Sequence, residues 1–349
     1  MLCQNDKIEL RAAVPGDMDG IRKVFLSGKF DGEFCVQFLR EPDPLVSLRH
    51  DGDSVVMIVM EYVSTREIIA VAGCVIRREY AGGTVRRIGY LTGLKILPEY
   101  QKKVYCIADG YQLIRDLTKE DVDIYYTTIL SSNSGAIKLL EKKHKRMPSY
   151  HFLGEYTTYC IKGGGKERGT LTGLTAQERE TLYQGKVLPG LDFSPSGTAL
   201  YQLKDQDFIA LRGRDNEILA ACAIYDQQAY KQYVISGYNR KYKLLSKLPT
   251  RWLGFPAFPK ENSELNYASV AFLYVKDHDP ERGRKFLRAA AAHSTRYEIL
   301  LAGLFENNAD QEIFASYKHV KFKSRLYEVT WEEPQYQPGN PVGLEVSLL

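Results

Sequence analysis

Two hydrophobic periods alternate along the first half of the chain. Residues 54–63 (SVVMIVMEYV) and 67–80 (EIIAVAGCVIRREY) are nearly continuous runs rich in β-branched residues, which are typical of buried strands. Residues 104–118 instead repeat apolar side chains every three or four positions, with Ile107 and Ile114 on one side. That spacing is typical of an amphipathic helix. The first half is therefore predicted to alternate strands with helices.

The pattern predicts the element order βαα-βββ-α-β-α-β between residues 8 and 161. The first of the two paired helices begins near Asp17, a candidate N-cap. The second is predicted over residues 32–39, from Gly32 to Leu39. We predict an α+β fold, an α/β sandwich in which a mixed, mostly antiparallel sheet is flanked by helices.

The second half repeats part of this pattern. Strands are predicted over residues 198–213, 216–228, 266–275, 298–306 and 325–333, and helices over 280–297 and 309–320. We therefore predict two copies of one fold. The first domain spans residues 1–165 and ends at a glycine triplet; a linker with one helix spans 166–195; the second domain spans 196–333. Residues 334–349 are expected to form an unstructured or surface-bound tail.

Charge and composition exclude several classes of protein. The net charge of +4 is shared evenly, at 23 Lys and Arg against 21 Asp and Glu in residues 1–165 and 24 against 22 in the remainder. This argues against a nucleic-acid partner. The one basic run, residues 142–146, either closes a helix or contacts a ligand phosphate. The chain has no apolar run of about 18 residues, so no membrane partner is expected.

The cysteines and the N-terminus point to one compartment. The six cysteines are scattered without CxxC pairs, and the N-terminus lacks a basic region followed by an apolar one. Cys74, Cys106, Cys160 and Cys222 lie in apolar contexts and are interpreted as small core residues. The simplest expectation is a reducing cytoplasm.

Residues 94–116 contain the most informative local pattern. A strand runs into the polar turn PEYQKK and then into the amphipathic helix. Amides at the N-terminus of a helix can hold a phosphate, and Lys102 and Lys103 add positive charge beside them. The alternative is a strand–helix turn that serves the fold alone.

This turn and the element order resemble the GNAT superfamily of acetyl-CoA-dependent N-acyltransferases. Residues 98–100 match the family's frequent lead-in, and Gln101 stands at the Q/R position of its Q/R-x-x-G-x-G/A motif. The resemblance implies a coenzyme A pyrophosphate site. Its residues would be Leu97, Gln101, Lys102, Lys103, Val104, Tyr105 and Cys106. Val104 and Cys106 replace the glycines, which normally let the backbone approach the phosphates.

Two further family features are only partly present in the first half. Asn133 follows the fifth strand, as the family's asparagine does, although it fits a plain helix N-cap equally well. The resemblance implies that Asn133 contributes to the cofactor site. Leu140 occupies the position of the family's tyrosine, which often protonates the leaving thiolate; Tyr125, Tyr126 or Tyr150 are possible substitutes.

The second half retains the complementary features. Residues 317–322 (YKHVKF) resemble the family's Y-x-x-x-G-F helix end, which implies that Tyr317 is a catalytic general acid. Its alternative is a tyrosine on an amphipathic helix. Arg282, Gly283 and Arg284 resemble the family's Arg-Gly-Arg-Gly run and are the second set of candidate cofactor residues.

No catalytic base is evident from the sequence. Glu61 and Glu79 end neighbouring strands and are expected to be solvated, and His151 is expected at the surface. Asp277, His278 and Asp279 lack a convincing metal-ligand spacing, so no metal site is predicted. Residues 251–261 (RWLGFPAFPKE) can form a lid over a pocket or seal the interface between the copies.

These observations favour an acetyl-CoA-dependent N-acyltransferase acting on an amine of a small molecule or peptide. Two alternatives remain. One is a non-catalytic member of the fold that binds a ligand or acts as a scaffold, because the glycines and the tyrosine are missing. The other is a relative that transfers aminoacyl groups from tRNA, against which the even charge argues.

Overall fold

The computed structural model describes most of the chain. The described residues are 2–3, 7–27, 34–104, 106–142, 146–165, 169–183, 192–196, 203–246, 248, 250, 254–256, 258–315, 317–334, 336 and 342–349. The strands are β1 Leu2–Cys3, β2 Ile8–Ala12, β3 Phe34–Leu39, β4 Ser54–Tyr62, β5 Glu67–Ala81, β6 Thr84–Ile96, β7 Ile124–Leu130, β8 Ser149–Lys162, β9 Leu171–Gly173, β10 Phe208–Arg212, β11 Ile218–Tyr225, β12 Gln232–Tyr238, β13 Ser263–Glu264, β14 Tyr267–Val275, β15 Ile299–Phe305 and β16 His319–Thr330. The helices are α1 Met18–Ser27, α2 Pro44–Arg49, α3 Ile107–Thr118, α4 Ser134–Leu140, α5 Ala176–Tyr183, α6 Arg240–Leu245, α7 Pro280–His293 and α8 Gln311–Ala315.

Thirteen of the described strands form one central sheet. Their order is β1-β2-β4-β5-β6-β7-β16-β8-β15-β14-β11-β10-β9. All pairs are antiparallel except β6 with β7 and β14 with β15. This confirms the predicted fold class, a mostly antiparallel sheet flanked by helices.

The two halves exchange their last strands. β8, which closes the first half, pairs with β15 of the second half from Tyr156 to Lys162. β16, which closes the second half, pairs with β7 of the first half and with β8 along its whole length. The halves therefore share one continuous sheet. The domain boundaries after residues 165, 195 and 333 stay a prediction.

Helices cover both faces of this sheet because their apolar stripes match it. On one face of the first half, α1 buries Ile21, Val24 and Phe25, spaced three and four residues apart. On the other face, α3 buries Tyr111 and Ile114. In the second half α7 and α8 cover one face, and α5 packs on the opposite one. Burial on both sides explains the nearly continuous apolar runs of the strands.

A small second sheet joins the halves and corrects one prediction. β3 of the first half pairs with β12 of the second, and β12 pairs with β13. The helix predicted over residues 32–39 is wrong, since Phe34–Leu39 is β3 and residues 32–33 lie outside the described part. The apolar run FCVQFL gives no signal that separates a short strand from a short helix, and its pairing partner lies almost 200 residues away.

Three predictions in the second half also need correction. The helix predicted over residues 309–320 covers only Gln311–Ala315, and His319 already begins β16. The strand predicted over 198–213 is confined to Phe208–Arg212 in the described part. The expected tail is not at the surface at its end: Val342, Leu344, Val346 and Leu348 are buried. Residues 251–253, in the predicted lid or seal, lie outside the described residues.

Candidate functional site

A cleft opens between β6 and β7, and we call it the first cleft. The two parallel strands pair at only three positions, ending at Tyr90 opposite Tyr126, and then separate. Beyond that point the hydroxyl of Thr127 donates to Leu91 O at 2.7 Å, so a side-chain hydrogen bond takes the place of a backbone hydrogen bond between the strands. Backbone groups of two diverging strands thus line one cleft in the middle of the sheet.

A β-bulge lies in the wall of the first cleft. Gly93 and Leu94 of β6 together oppose the single residue Ala72 of β5, between the pairs Gly73–Thr92 and Val71–Lys95. Gly93 has φ +69°, the left-handed conformation that favours glycine in this type of bulge. A bulge turns backbone groups out of the ladder and re-aims them.

The second half contains the same geometry, which we call the second cleft. β14 and β15 pair at three positions, ending at Ser269 opposite Leu301, and then separate. Phe272 and Leu273 together oppose Cys222 of β11. Phe272 has φ +56°. A phenylalanine in this region costs on the order of 1–2 kcal/mol, so other contacts must hold it there.

The C-terminal segment 342–349 fills the second cleft. Its 3-10 turn, Val346–Leu348, contacts both β14 and β15. The N–H of Phe272 donates to the carboxylate of Glu345, 3.1 Å from each oxygen. Burial raises the pKa of Glu345 to about 7, although this hydrogen bond opposes the shift. The amide that the bulge turns outward therefore binds an oxygen atom inside the cleft.

At the rim of the first cleft, the start of α3 has no side-chain cap. α3 begins after Cys106, whose side chain makes no capping hydrogen bond. Lys102 and Lys103 are exposed beside this helix end. The amides of Lys103 and Val104 donate to Tyr100 O at 2.8 and 3.1 Å, so they are used within the turn. The first turn of α3 also carries Asp109, whose carboxylate pairs with Arg146.

The other candidate residues of this turn have structural roles. Leu97, Val104 and Cys106 are buried in the hydrophobic core. Gln101 is exposed and donates to Ile96 O at 3.4 Å. Tyr105 lies outside the described residues. Among the described candidates of the turn, the two lysines thus present the side chains that a phosphate could contact from solvent.

At the rim of the second cleft, a carboxylate already occupies the amides at the start of the helix. The carboxylate of Asp279 accepts from the amides of Glu281 and Arg282 at 2.9 and 3.0 Å, which caps α7. Gly283 is required for packing, because a β-carbon there would lie 2.4 Å from Ile313 Cδ1. Arg282 is turned back to Lys276 O, which also argues against an anion site.

Three more candidates make structural contacts, and of these Asn133 takes the place that its structural alternative predicts, a helix N-cap. Arg284 donates to Glu312 O at 3.3 Å, which links α7 to α8. Asn133 caps α4, accepting from Ala136 N at 3.1 Å. Tyr317 follows α8 instead of lying on it, and packs against the core of the second half. None of these contacts tests a role in catalysis, so the roles of Asn133 and Tyr317 stay predictions.

A buried charge cluster, which the sequence pattern does not reveal, lies beneath the first cleft. Its five members are almost completely inaccessible to solvent: Arg40, Asp51, Arg77, Glu79 and Lys231. Arg40 pairs with Asp51 at 2.6 Å, and Arg77 pairs with Glu79 at 2.5 Å. Lys231 Nζ donates to Ser347 O at 2.9 Å, which ties the cluster to the C-terminal segment. The Arg77 guanidinium stacks 5.1 Å from the ring of Tyr90, the last paired residue before the cleft.

Burial and neighbouring charges shift the pKa values of the residues in this cluster. Burial lowers the pKa of Lys231 to about 7, with Arg40 and Arg77 acting in the same direction and Asp51 opposing them. Burial also opposes ionisation of Asp51, yet Arg40, Lys231 and Arg77 together lower its pKa. Burial raises the pKa of Glu79 despite the neighbouring Arg77.

The expectation that Glu61 and Glu79 are solvated is wrong. Glu61 is 2% exposed and pairs with Arg11 at 2.6 Å, and Glu79 is fully buried against Arg77. His151 is half-buried and lies 3.1 Å from the hydroxyl of Thr330. Among the described residues, no group of three or more His, Cys, Asp or Glu side chains is arranged to hold a metal. In the same part of the chain, no helix is both long and apolar enough to cross a membrane.

The fold resembles solved acyltransferases, while sequence comparisons find nothing. No protein-family model and no curated protein matches the chain. The N-myristoyltransferase of Saccharomyces cerevisiae with bound myristoyl-CoA superposes with a TM-score of 0.57 at 10% identity, over 99% of this chain and 88% of that one. A GCN5-related N-acetyltransferase from Sphaerobacter thermophilus gives a TM-score of 0.54 at 12% identity, over 94% and 96%.

The likeness extends over nearly the whole chain and includes both halves. Identities of 10–12% carry the fold and not the chemistry. The splayed parallel strands, the flanking helices and the superpositions agree with the resemblance noted in the turn at residues 98–104. The chain therefore has the fold of the GNAT superfamily, the GCN5-related N-acetyltransferases.

Proposed function

We propose that this protein is an acyl-CoA-dependent N-acyltransferase whose donor binds in the first cleft. One observation carries the proposal. In the second cleft the bulge amide of Phe272 donates to an oxygen of Glu345. Gly93 holds the equivalent bulge position in the first cleft. We therefore expect Gly93 N–H to donate to the carbonyl oxygen of a thioester placed between β6 and β7.

We place the donor in the first cleft because the helix N-termini at the rims of the two clefts differ. Asp279 caps α7 and would repel a phosphate, whereas α3 lacks a side-chain cap and has Lys102 and Lys103 beside it. The second cleft also holds an extended segment of the chain itself. An extended pantetheine arm would take the corresponding path in the first cleft. Acetyl-CoA is the donor that we propose, with its pyrophosphate at the start of α3.

The reaction would be aminolysis of the thioester. The nitrogen of a neutral amine attacks the carbonyl carbon, a C–N bond forms, the C–S bond breaks, and coenzyme A leaves as the thiol after taking the proton lost by the amine. Negative charge develops on the carbonyl oxygen, where a preorganised bulge amide stabilises it most. The acceptor that we propose is an amine of a small molecule or peptide, in the cytoplasm.

Donor binding can be tested on the full chain by isothermal titration calorimetry with acetyl-CoA, and turnover by thiol release with a panel of amino acids, polyamines and short peptides. We expect saturable binding and amine-dependent thiol release. Binding without release with any amine favours the non-catalytic alternative. No binding at millimolar acetyl-CoA would contradict the proposal.

We expect the double variant Lys102→Glu, Lys103→Glu to weaken acetyl-CoA binding by about tenfold or more, because it replaces two positive charges with two negative ones beside the pyrophosphate site. The matched control is Arg284→Glu with Lys285→Glu on α7, which makes the same change of charge near the second cleft. Equal weakening of acetyl-CoA binding in both variants would show that the overall charge of the protein, and not the position of the two lysines, causes the effect.

We expect Tyr317→Phe to leave kcat within about twofold of the native value, because Tyr317 packs in the second half, away from the donor cleft. A general acid contributes roughly 10²–10⁴-fold, so its loss is easily measured. A fall of that size at unchanged acetyl-CoA affinity would instead establish Tyr317 as the general acid and place the chemistry at the second cleft.

A further inference from the structure

The second cleft contains a buried carboxyl group, Glu345, that pairs with no basic side chain among the described residues. Glu345 lines a narrow cavity between the C-terminal segment and the separated strands, walled by Val270, Leu273, Gly303 and Leu304. Its only hydrogen-bond donor in the described part of the chain is the amide of Phe272. Within that part, no Lys, Arg or His pairs with it. Buried carboxylates in proteins are normally paired or coordinated.

A second polar group, beside this cavity, also lacks a hydrogen-bond partner among the described residues. The hydroxyl of Tyr156 is completely buried and makes no hydrogen bond to any described residue. It lies directly against Gly303, where a β-carbon would come within 2.0 Å of the oxygen. Gly303 lines the cavity together with Glu345, so the phenol lies at the cavity wall. A phenol oxygen and a carboxylate here form an oxygen-rich corner of the cavity, which Ser194 and Asn308 also line.

The backbone adds to this corner. β14 and β15 stop pairing after Ser269 and Leu301, so the edge of β15 that follows faces the cavity without a ladder partner from β14. Carbonyl and carboxylate oxygens with a phenol suit a small, hard monovalent cation or an ammonium group. The cavity has only one described carboxylate, which makes a divalent ion a poor fit.

We propose that this cavity binds a small monovalent cation, either the ammonium head of a primary amine or an alkali metal ion, between Glu345 and Tyr156. The bound cation offsets the charge of Glu345 and so fixes the C-terminal segment in the second cleft. Five strand spacings separate the two bulges, roughly 24 Å, so this site is distinct from the donor cleft. The proposal does not depend on the proposed acyltransferase activity.

The test is calorimetric melting of the full chain at pH 8, where Glu345 is ionised, with methylammonium, potassium or tetramethylammonium chloride at equal ionic strength. Tetramethylammonium has no N–H donor and is too large for the cavity. We expect methylammonium, potassium or both to raise Tm by about 2 °C or more over tetramethylammonium, with saturation. Methylammonium alone identifies an amine site, and a response to both identifies a site for alkali ions as well.

Variants distinguish the site from a general salt effect. Glu345→Gln is expected to abolish the preference and Tyr156→Phe to weaken it, whereas Glu281→Gln, an exposed residue with the same change of charge, should retain it. If Glu345→Gln does not fold, Tyr156→Phe decides alone. Equal Tm values with all three salts, or a preference that survives both cavity substitutions, would overturn the proposal. Acetyl-CoA plays no part in this experiment, so its result leaves the donor proposal untouched.

Discussion

Substituting Gly93 with valine is expected to lower kcat/KM by about 10²–10³-fold, the usual cost of losing one oxyanion donor. Gly93 has φ +69°, and a β-carbon there would lie 3.2 Å from Phe25 Cζ. A β-branched residue resists this conformation, so the bulge should rearrange and its amide should no longer face the first cleft. Steady-state kinetics with the best acceptor found in the amine panel measures the effect. Acetyl-CoA affinity should change little.

The matched control for this substitution is Gly83→Val. Gly83 has φ +77° in the hairpin between β5 and β6, and a β-carbon there would meet no atom of the described residues within 4 Å. It suffers the same backbone strain far from the cleft, so it should lose stability without losing activity per folded molecule. If both variants lose activity equally, strain explains the result and the bulge amide has no catalytic role.

The architecture of the sheet was largely predictable, because long strands and amphipathic helices carry strong periodic signals. The apolar run of β4 and the stripe of α3 fall within a few residues of their predicted bounds. The exchange of β8 and β16 between the halves was not predictable, since pairing between distant strands leaves no local pattern. β3 was mistaken for a helix for the same reason.

The candidate functional residues were less predictable than the fold. The turn at residues 98–104 was found because it has a local motif, whereas the bulge at Gly93 depends on register with β5. Arg77 and Glu79 belong to a run of three charged residues, 77–79, near a strand end, which is the ordinary pattern of a solvated edge. Tertiary packing buries them: Arg77 donates to Asp51 O and Leu348 O, and Glu79 forms a β-bridge with Pro195. The equivalence of Gly93 and Phe272 is visible only once the registers of both bulges are known.

Replacing Asp51 with asparagine is expected to lower the free energy of unfolding by about 3–5 kcal/mol, the range for breaking a buried ion pair. Asp51 is 1% exposed and pairs with Arg40 at 2.6 Å. Its removal leaves three buried basic groups facing Glu79 alone. Denaturation by urea at pH 7 measures the loss. Asp53→Asn, two residues away on the surface, should change stability by less than about 0.5 kcal/mol.

The pH dependence of stability distinguishes the contribution of Asp51 from that of Lys231. The pKa of Asp51 is lowered on folding, so its stabilisation is present above about pH 4 and is lost as the pH falls through the folded value. The pKa of Lys231 falls from 10.5 to about 7, so the unfolded chain binds more protons between these values and stability rises with pH there.

In the native protein, the free energy of unfolding should therefore rise above pH 7 by at most about 1.4 kcal/mol per pH unit because of Lys231. Lys231→Met should remove this rise, which is measured as the difference between the stability curves of the native protein and the variant. The substitution leaves Ser347 O with a donor, because Gln227 also donates to it at 2.9 Å. Its cost at pH 8 should thus be small. With Lys231 neutral, Arg40 and Arg77 balance Asp51 and Glu79, and the buried cluster carries no net charge. Parallel curves for the native protein and Lys231→Met would show that Lys231 keeps its ordinary pKa, and that the cluster is charged at neutral pH.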